Sequence, residues 1–137
     1  MCFSPRALTA GKTPRINGTD YNSADGTCVR DYVHVADLAT SHVAAARALA
    51  AGTPLERVYN LGSGDGLSVR QIMTAMATVT GIDFEPEIGP RRAGDPDRIV
   101  ADGSLAARDL DWKMRHSVDD MVASAYEAQK KAASAGH

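Results

Sequence analysis

Two cysteines, Cys2 and Cys28, are too few for a disulfide framework, and the four histidines show no spacing that would gather a metal. No apolar run approaches the length of a membrane span, and the first residues lack the charged and apolar regions of a signal peptide. The chain therefore reads as cytoplasmic, with no membrane partner. Neither charge sign dominates. A net charge of −2 gives no electrostatic case for nucleic acid or an anionic surface. Aromatic residues are only 5% of the total and much of the 44% hydrophobic fraction is alanine, so the core available from these residues alone is thin. The start is peculiar. Met1-Cys2-Phe3-Ser4-Pro5 carries no helix cap and runs into a polar Gly/Lys/Pro stretch, as though another segment precedes it.

What is present is one domain's worth of chain, 137 residues, with the alternation of an α/β protein. Residues 1–28 read as an irregular loop segment, punctuated by proline and glycine, with one brief strand near Arg15-Ile16-Asn17. Residues 29–80 read as strand, helix, strand, helix. The first strand spans 29–35, with valines at 29, 33 and 35, and leads into a helix whose N-cap is Asp37 and which stops at Gly52. Arg57-Val58-Tyr59-Asn60-Leu61 reads as a buried strand. Ser68 and Gln71 form a capping box for a helix to Thr80, with Val69, Ile72, Met73 and Met76 on its core stripe. Residues 81–137 form a smaller helical and loop portion. It holds an edge strand in the Pro-flanked stretch 85–90, a charged loop over 90–98 and a short helix after Asp102 or Ser104. A last helix starts at Ser117 and ends with Lys130 and Lys131 in its final turn, residues 132–137 fraying.

Four constellations invite chemistry. Gly62-Ser63-Gly64-Asp65-Gly66 follows a strand and precedes a helix, but the dinucleotide fingerprint needs glycine where Leu67 stands; a turn and a helix cap explain it. Tyr126 and Lys130 have the Tyr-x-x-x-Lys spacing of short-chain dehydrogenases, yet they lie at the end of an exposed helix with no cofactor-binding strand before them. That match is chance. Arg30, set among valines, either pairs with a carboxylate such as Asp31 or Asp37 or points into a cleft toward an anion. Arg91, Arg92 and Arg98 form a cationic loop beside Gly94-Asp95. It suits either bidentate phosphate capture or a solvated surface with internal ion pairs. With no aromatic interleaved to stack on bases, a nucleic-acid reading of this loop is the weaker one. His34, alternating with valines, reads as a structural histidine.

The stretch Asp25-Gly-Thr-Cys-Val-Arg-Asp-Tyr-Val-His-Val-Ala-Asp-Leu38 closely resembles one in bacterial UDP-glucose 4-epimerases, members of the extended short-chain dehydrogenase/reductase family. Four more blocks match in order and spacing. They are Ile16-Asn-Gly-Thr-Asp-Tyr21, Val58-Tyr-Asn-Leu-Gly-Ser-Gly64 running into Ser68-Val69, Pro90-Arg-Arg-Ala-Gly-Asp95, and Leu110-Asp-Trp112. Together they cover nearly the whole chain. What they resemble is the C-terminal, substrate-binding part of the family fold, without the N-terminal Rossmann core that carries the Gly-rich turn and the catalytic Tyr-x-x-x-Lys.

The resemblance implies a protein that binds UDP-glucose and UDP-galactose for NAD-dependent epimerisation at C4. By position, Arg30 and Arg92 look like the pair that grips the diphosphate, and Asp95 like the carboxylate that accepts from the ribose. Ile99 falls where the family lines its hexose pocket, leaving open whether N-acetylated sugars are admitted. Asn17 falls near the uracil, where relatives often carry an apolar or aromatic residue. The family reaction passes hydride to NAD⁺ and back to the other face of the sugar. By the resemblance, the NAD site and the catalytic residues lie outside this chain, which is then catalytically incomplete alone. Two alternatives stand beside this reading. One is a stand-alone nucleotide-sugar binding module or a truncated remnant; the other is a different NAD-dependent nucleotide-sugar epimerase or dehydratase. The resemblance also sets the strand at 57–61 and the alanine-faced helix against the Rossmann sheet. It thereby implies a homo-oligomer or a complementing NAD-binding chain as partner.

Overall fold

The structure, a computed structural model, describes residues 11–135. The expectations for Met1 to Pro5, for Cys2 and, within the fraying expected over 132–137, for residues 136–137 lie outside them; residues 132–135 are helical and do not fray. Residues Arg15–Asn17 form strand β1, as the sequence suggests. It pairs in parallel with β4, Glu87–Gly89, through Arg15↔Glu87, Ile16↔Ile88 and Asn17↔Gly89. The prolines at 86 and 90 bracket β4 and confine it to a two-stranded sheet.

A second sheet has β2, Val29–Arg30, at its centre. On one side β3, Leu67–Ser68, runs antiparallel to it; on the other β5, Arg98–Ile99, runs parallel. The strand expected over 29–35 is thus only two residues long. Its ladder partners are themselves two residues long, and Asp31 turns aside to accept from Ser63 and from the Ala101 N–H.

Helix α1 spans Val35–Ala50 and begins two residues before the expected start. Its N-cap is His34, whose Nδ1 accepts from the Ala36 N–H at 2.9 Å. Asp37 does not cap. It is fully buried and faces the segment before the last helix, where it accepts from the N–H groups of Arg115 and His116 and from the His116 ring. Burial alone would raise this carboxyl, but the His116 and Arg115 donors outweigh it and hold the group below its ordinary range.

Helix α2, Val69–Thr80, starts with the expected capping box. Ser68 Oγ accepts from Gln71 N, and Gln71 Oε1 accepts from Ser68 N. It ends at Gly81, and its stripe of Val69, Ile72, Met73 and Met76 is buried. Helix α3 covers Ser104–Leu110, and α4 covers Val118–Ala135. Because α4 runs on through Ala135, Lys130 and Lys131 sit inside it, not in its final turn. Lys130 pairs with Glu127 and lies 5.4 Å from the centre of the Tyr126 ring on the solvent side, an ordinary surface arrangement.

Two apolar clusters result. The larger joins α2 to Ile16, Tyr21, Cys28 and to Val122 of α4. The smaller gathers Ala106, Leu110 and Trp112, with Ala44, Ala45 and Ala48 of α1 and with Tyr59 and Leu61 packed on them. Trp112 locks α1 in place, its Nε1 donating to the Asp37 carbonyl at 2.8 Å. The strand expected over 57–61 is absent. Tyr59 and Leu61 turn inward and Val58 outward (73% exposed), which is a strand's alternation, but among the described residues no neighbouring strand supplies a ladder.

Candidate functional site

The edge where β2 meets β5 collects most of the residues picked out from the sequence. Arg30 is not paired with Asp31 or Asp37, the carboxylates its neighbourhood suggests. Asp31 is held by Ser63 and Ala101, and Asp37 by His116. The partner of Arg30 is Asp95, which lies 65 residues further along the chain and is reached by Nη2; the same nitrogen donates to the Pro96 carbonyl at 2.9 Å. Nη1 donates to the Val29 carbonyl at 2.6 Å. A guanidinium has five N–H donors, so two of Arg30's have no partner among the described residues.

Asp95 is bonded on both oxygens, Oδ1 to Arg30 and Oδ2 to the Tyr21 hydroxyl at 2.9 Å. Burial pushes its pKa upward, but the Tyr21 hydroxyl, Arg30 and the nearby charge of Arg92 prevail and keep it below the ordinary carboxylate range. Each carboxylate oxygen accepts more than one hydrogen bond, so Asp95 retains acceptor capacity while ionised. Arg92 lies in the loop between β4 and β5; its carbonyl accepts from the Asp95 N–H, and its exposed side chain makes no ion pair or hydrogen bond among the described residues. Ile99 sits beside Arg30 in the parallel ladder and is half exposed. Asn17 stands apart from this edge at the end of β1, paired with Gly89.

Tyr21 is the residue that sequence reasoning did not connect to this site, and Arg91, read there as part of the cationic loop, is found stacked on it. Tyr21 is separated from Asp95 by 74 residues, and no spacing rule links them. Its phenol is pushed up to about 12, first by burial and then by its bond to Asp95, so it acts as a donor throughout the physiological range. Across its ring lies the Arg91 guanidinium, 4.0 Å from the centroid.

The Gly62–Gly66 turn does not form a dinucleotide cradle. A Cβ on residue 62 would lie 2.2 Å from Asp31 Oδ2 and 2.8 Å from the Ala101 side chain, so the glycine makes room for the protein's own atoms. At the start of α2, the Gln71 N–H is taken by Ser68 and the Arg70 N–H by Thr27. The residues of this turn therefore do not fit an NAD pyrophosphate. Among the described residues no group of three or more His, Cys, Asp or Glu is placed to hold a metal, and no helix is long and apolar enough to cross a membrane.

The arrangement is suited to an anion flanked by hydroxyls. It offers unused guanidinium donors on Arg30 and Arg92, with a braced carboxylate bonded to the first and within reach of the charge of the second. Comparison with known proteins gives it a context. Residues 5–62 match the model of the NAD dependent epimerase/dehydratase family. A UDP-glucose 4-epimerase of Lactobacillus helveticus is 45% identical over 116 residues, which are 84% of this chain and 35% of that protein. UDP-arabinose 4-epimerase 1 of Arabidopsis thaliana is 39% identical over 132 residues, 94% of this chain and 30% of that protein. The chain thus spans about a third of the length of the curated relatives it matches. Among solved structures, the UDP-glucose 4-epimerase of Stenotrophomonas maltophila with bound NAD and formylated UDP-arabinopyranose superposes with a TM-score of 0.86 at 38% identity. The match covers 95% of this chain and 39% of that one. The Bifidobacterium longum enzyme in complex with NAD⁺ and UDP gives 0.81 at 39% identity, covering 93% and 37%.

Proposed function

Because residues 5–62 match the NAD dependent epimerase/dehydratase family and the chain superposes on part of solved UDP-glucose 4-epimerases, we propose that it is a member of that family, corresponds to its C-terminal substrate-binding part, and binds the UDP moiety of a UDP-sugar for epimerisation at C4. UDP-glucose and UDP-galactose are its substrates in this reading. Arg30 and Arg92 hold the diphosphate, Asp95 accepts from the ribose, and Ile99 borders the sugar. Asn17 lies toward the uracil. The observation that carries the reading is the convergence on one carboxylate. Asp95 is bonded to Arg30 and feels the charge of Arg92, although the three residues come from two distant stretches, and both arginines keep donors free among the described residues.

The cofactor belongs to a part outside this chain. Among the described residues, the Gly62–Gly66 turn before a helix has its close approach filled by Asp31, so the chain's share of the work is positioning and not hydride transfer. The chain is therefore inactive alone and completes its site with an NAD-binding partner chain or segment.

Calorimetry with UDP and UDP-glucose tests this. Micromolar binding that falls about ten- to a hundredfold in Arg92→Ala is the expected result, since a charge-assisted bond to phosphate is lost. Absence of binding by the unmodified chain overturns the reading. Turnover of UDP-galactose by this chain with NAD⁺ would instead overturn the assignment of the hydride chemistry to another part.

A further inference from the structure

Asp95 can present its spare acceptor capacity to a ligand only if its carboxylate is held in one orientation while the unused donors of Arg30 meet an anion. The Arg30–Asp95 contact is partly exposed, with side-chain exposures of 21% and 23%, and a pair of that kind contributes little rigidity by itself. The brace comes from the other side. Tyr21 is buried in the larger apolar cluster and donates to Oδ2, the oxygen that Arg30 does not use. Its ring is covered by Arg91, which also donates to the Asp95 carbonyl at 3.0 Å and to the Asp97 carboxylate at 2.8 Å. Arg91 thereby ties the loop carrying Asp95 to the loop carrying Tyr21. The stack is tight: a Cβ on Gly18, which has φ +85°, would lie 2.7 Å from the Tyr21 ring and 2.9 Å from Arg91 Cβ. None of these contacts is needed to hold the cluster around α2 together, because Arg91 is exposed and the Tyr21 hydroxyl points away from the cluster to Asp95.

We propose that Tyr21 and Arg91 are a positioning pair that fixes the Asp95 carboxylate for a nucleoside's ribose hydroxyls, and that they do so without touching the ligand. The proposal rests on the UDP-binding reading above. It predicts a selective defect. Loss of the brace weakens a ligand that has a ribose and leaves untouched one that has only a diphosphate, because the diphosphate contacts come from Arg30 and Arg92.

The test is calorimetry of this chain with UDP and with inorganic pyrophosphate as probes. Tyr21→Phe and Arg91→Lys are each expected to lower UDP affinity about five- to tenfold, the scale of one hydrogen bond to a charged group. Pyrophosphate affinity should stay within about twofold in both. Arg91→Lys keeps the charge but loses the planar stack and the fork. In an Asp95→Ala background, adding Tyr21→Phe should cost nothing further, which a general loss of stability would not reproduce. Should Tyr21→Phe fail to fold, Arg91→Lys combined with Asp95→Ala completes the same cycle. UDP affinity unchanged in the single variants, equal losses for both probes, or additive losses in the double variant each overturn the proposal. Failure of the unmodified chain to bind UDP appears before any variant is made; it overturns the UDP-binding reading and this proposal with it.

Discussion

The edge built by β2, β5 and the charged loop differs from the face built by α1 and residues 57–61 in where its partners come from. At the edge, Arg30, Asp95, Tyr21 and Arg91 answer one another, and the Tyr21 ring is rooted in the cluster around α2. On the other face, Val35, Val43, Leu49 and Val58 lie half to three-quarters exposed, with Ala44, Ala45 and Ala48 of α1 partly buried against the smaller cluster. One surface is polar and partly paired within the chain; the other is apolar and leaves unmatched area. A polar edge of this kind is specified by contacts within the chain itself. An apolar face with an extended segment that lacks a ladder partner among the described residues leaves its apolar area to solvent in this chain.

The largest effect expected from breaking this contrast comes at Trp112. Replacing it by alanine empties the centre of the smaller cluster and removes the donor to the Asp37 carbonyl. A cost of about 3–5 kcal/mol is expected in urea unfolding followed by circular dichroism. Under conditions where the variant is still folded, UDP affinity should change by less than about twofold, since Arg30, Asp95 and Tyr21 are seated elsewhere. A large parallel loss of UDP binding would show that the two regions are one unit.

A smaller effect concerns acid. Asp37 is held below its ordinary pKa when folded, so the unfolded chain takes up its proton first as pH falls. Its contribution is complete above the unfolded value of about 3.9 and disappears as pH drops through the lower folded value. Asp37→Asn should therefore flatten the acid limb of the stability curve. The two curves should converge at low pH, and a constant offset would argue against this carboxylate as the source.

The smallest change in stability, within about 0.5 kcal/mol, is expected from Val43→Ser and Leu49→Ser on the open face of α1. Their signature is in sedimentation. The unmodified chain should self-associate with rising concentration, and the double variant should do so less. A monomer at every concentration would remove the reason for distinguishing this face from ordinary surface.

The sequence specified those parts that local rules govern. Ser68 and Gln71, three residues apart, are sufficient to start α2, and its stripe is buried because the spacing of its apolar residues matches the turn of a helix. Asp37 went otherwise, since the N–H groups of Arg115 and His116 compete for the same oxygens and a tertiary network outweighs a local cap. Residues 57–61 carry a strand's composition, and a strand needs a neighbour that composition cannot supply. At the site, the order and spacing of family blocks singled out Arg30, Arg92 and Asp95. The bonds that set Asp95 in place span 65 and 74 residues, and periodicity carries no information at that separation.

The position of Arg30 on the middle strand of its sheet has a consequence for the order of synthesis. Its counter-ion leaves the ribosome 65 residues later, and the flanking strands are also later in the chain. The helices at 35–50 and 69–80 close their backbone bonds from local sequence while this arginine is still solvated. The edge around Arg30 thus takes shape only after the helices at 35–50 and 69–80 have emerged, with the helices at 104–110 and 118–135 still to follow.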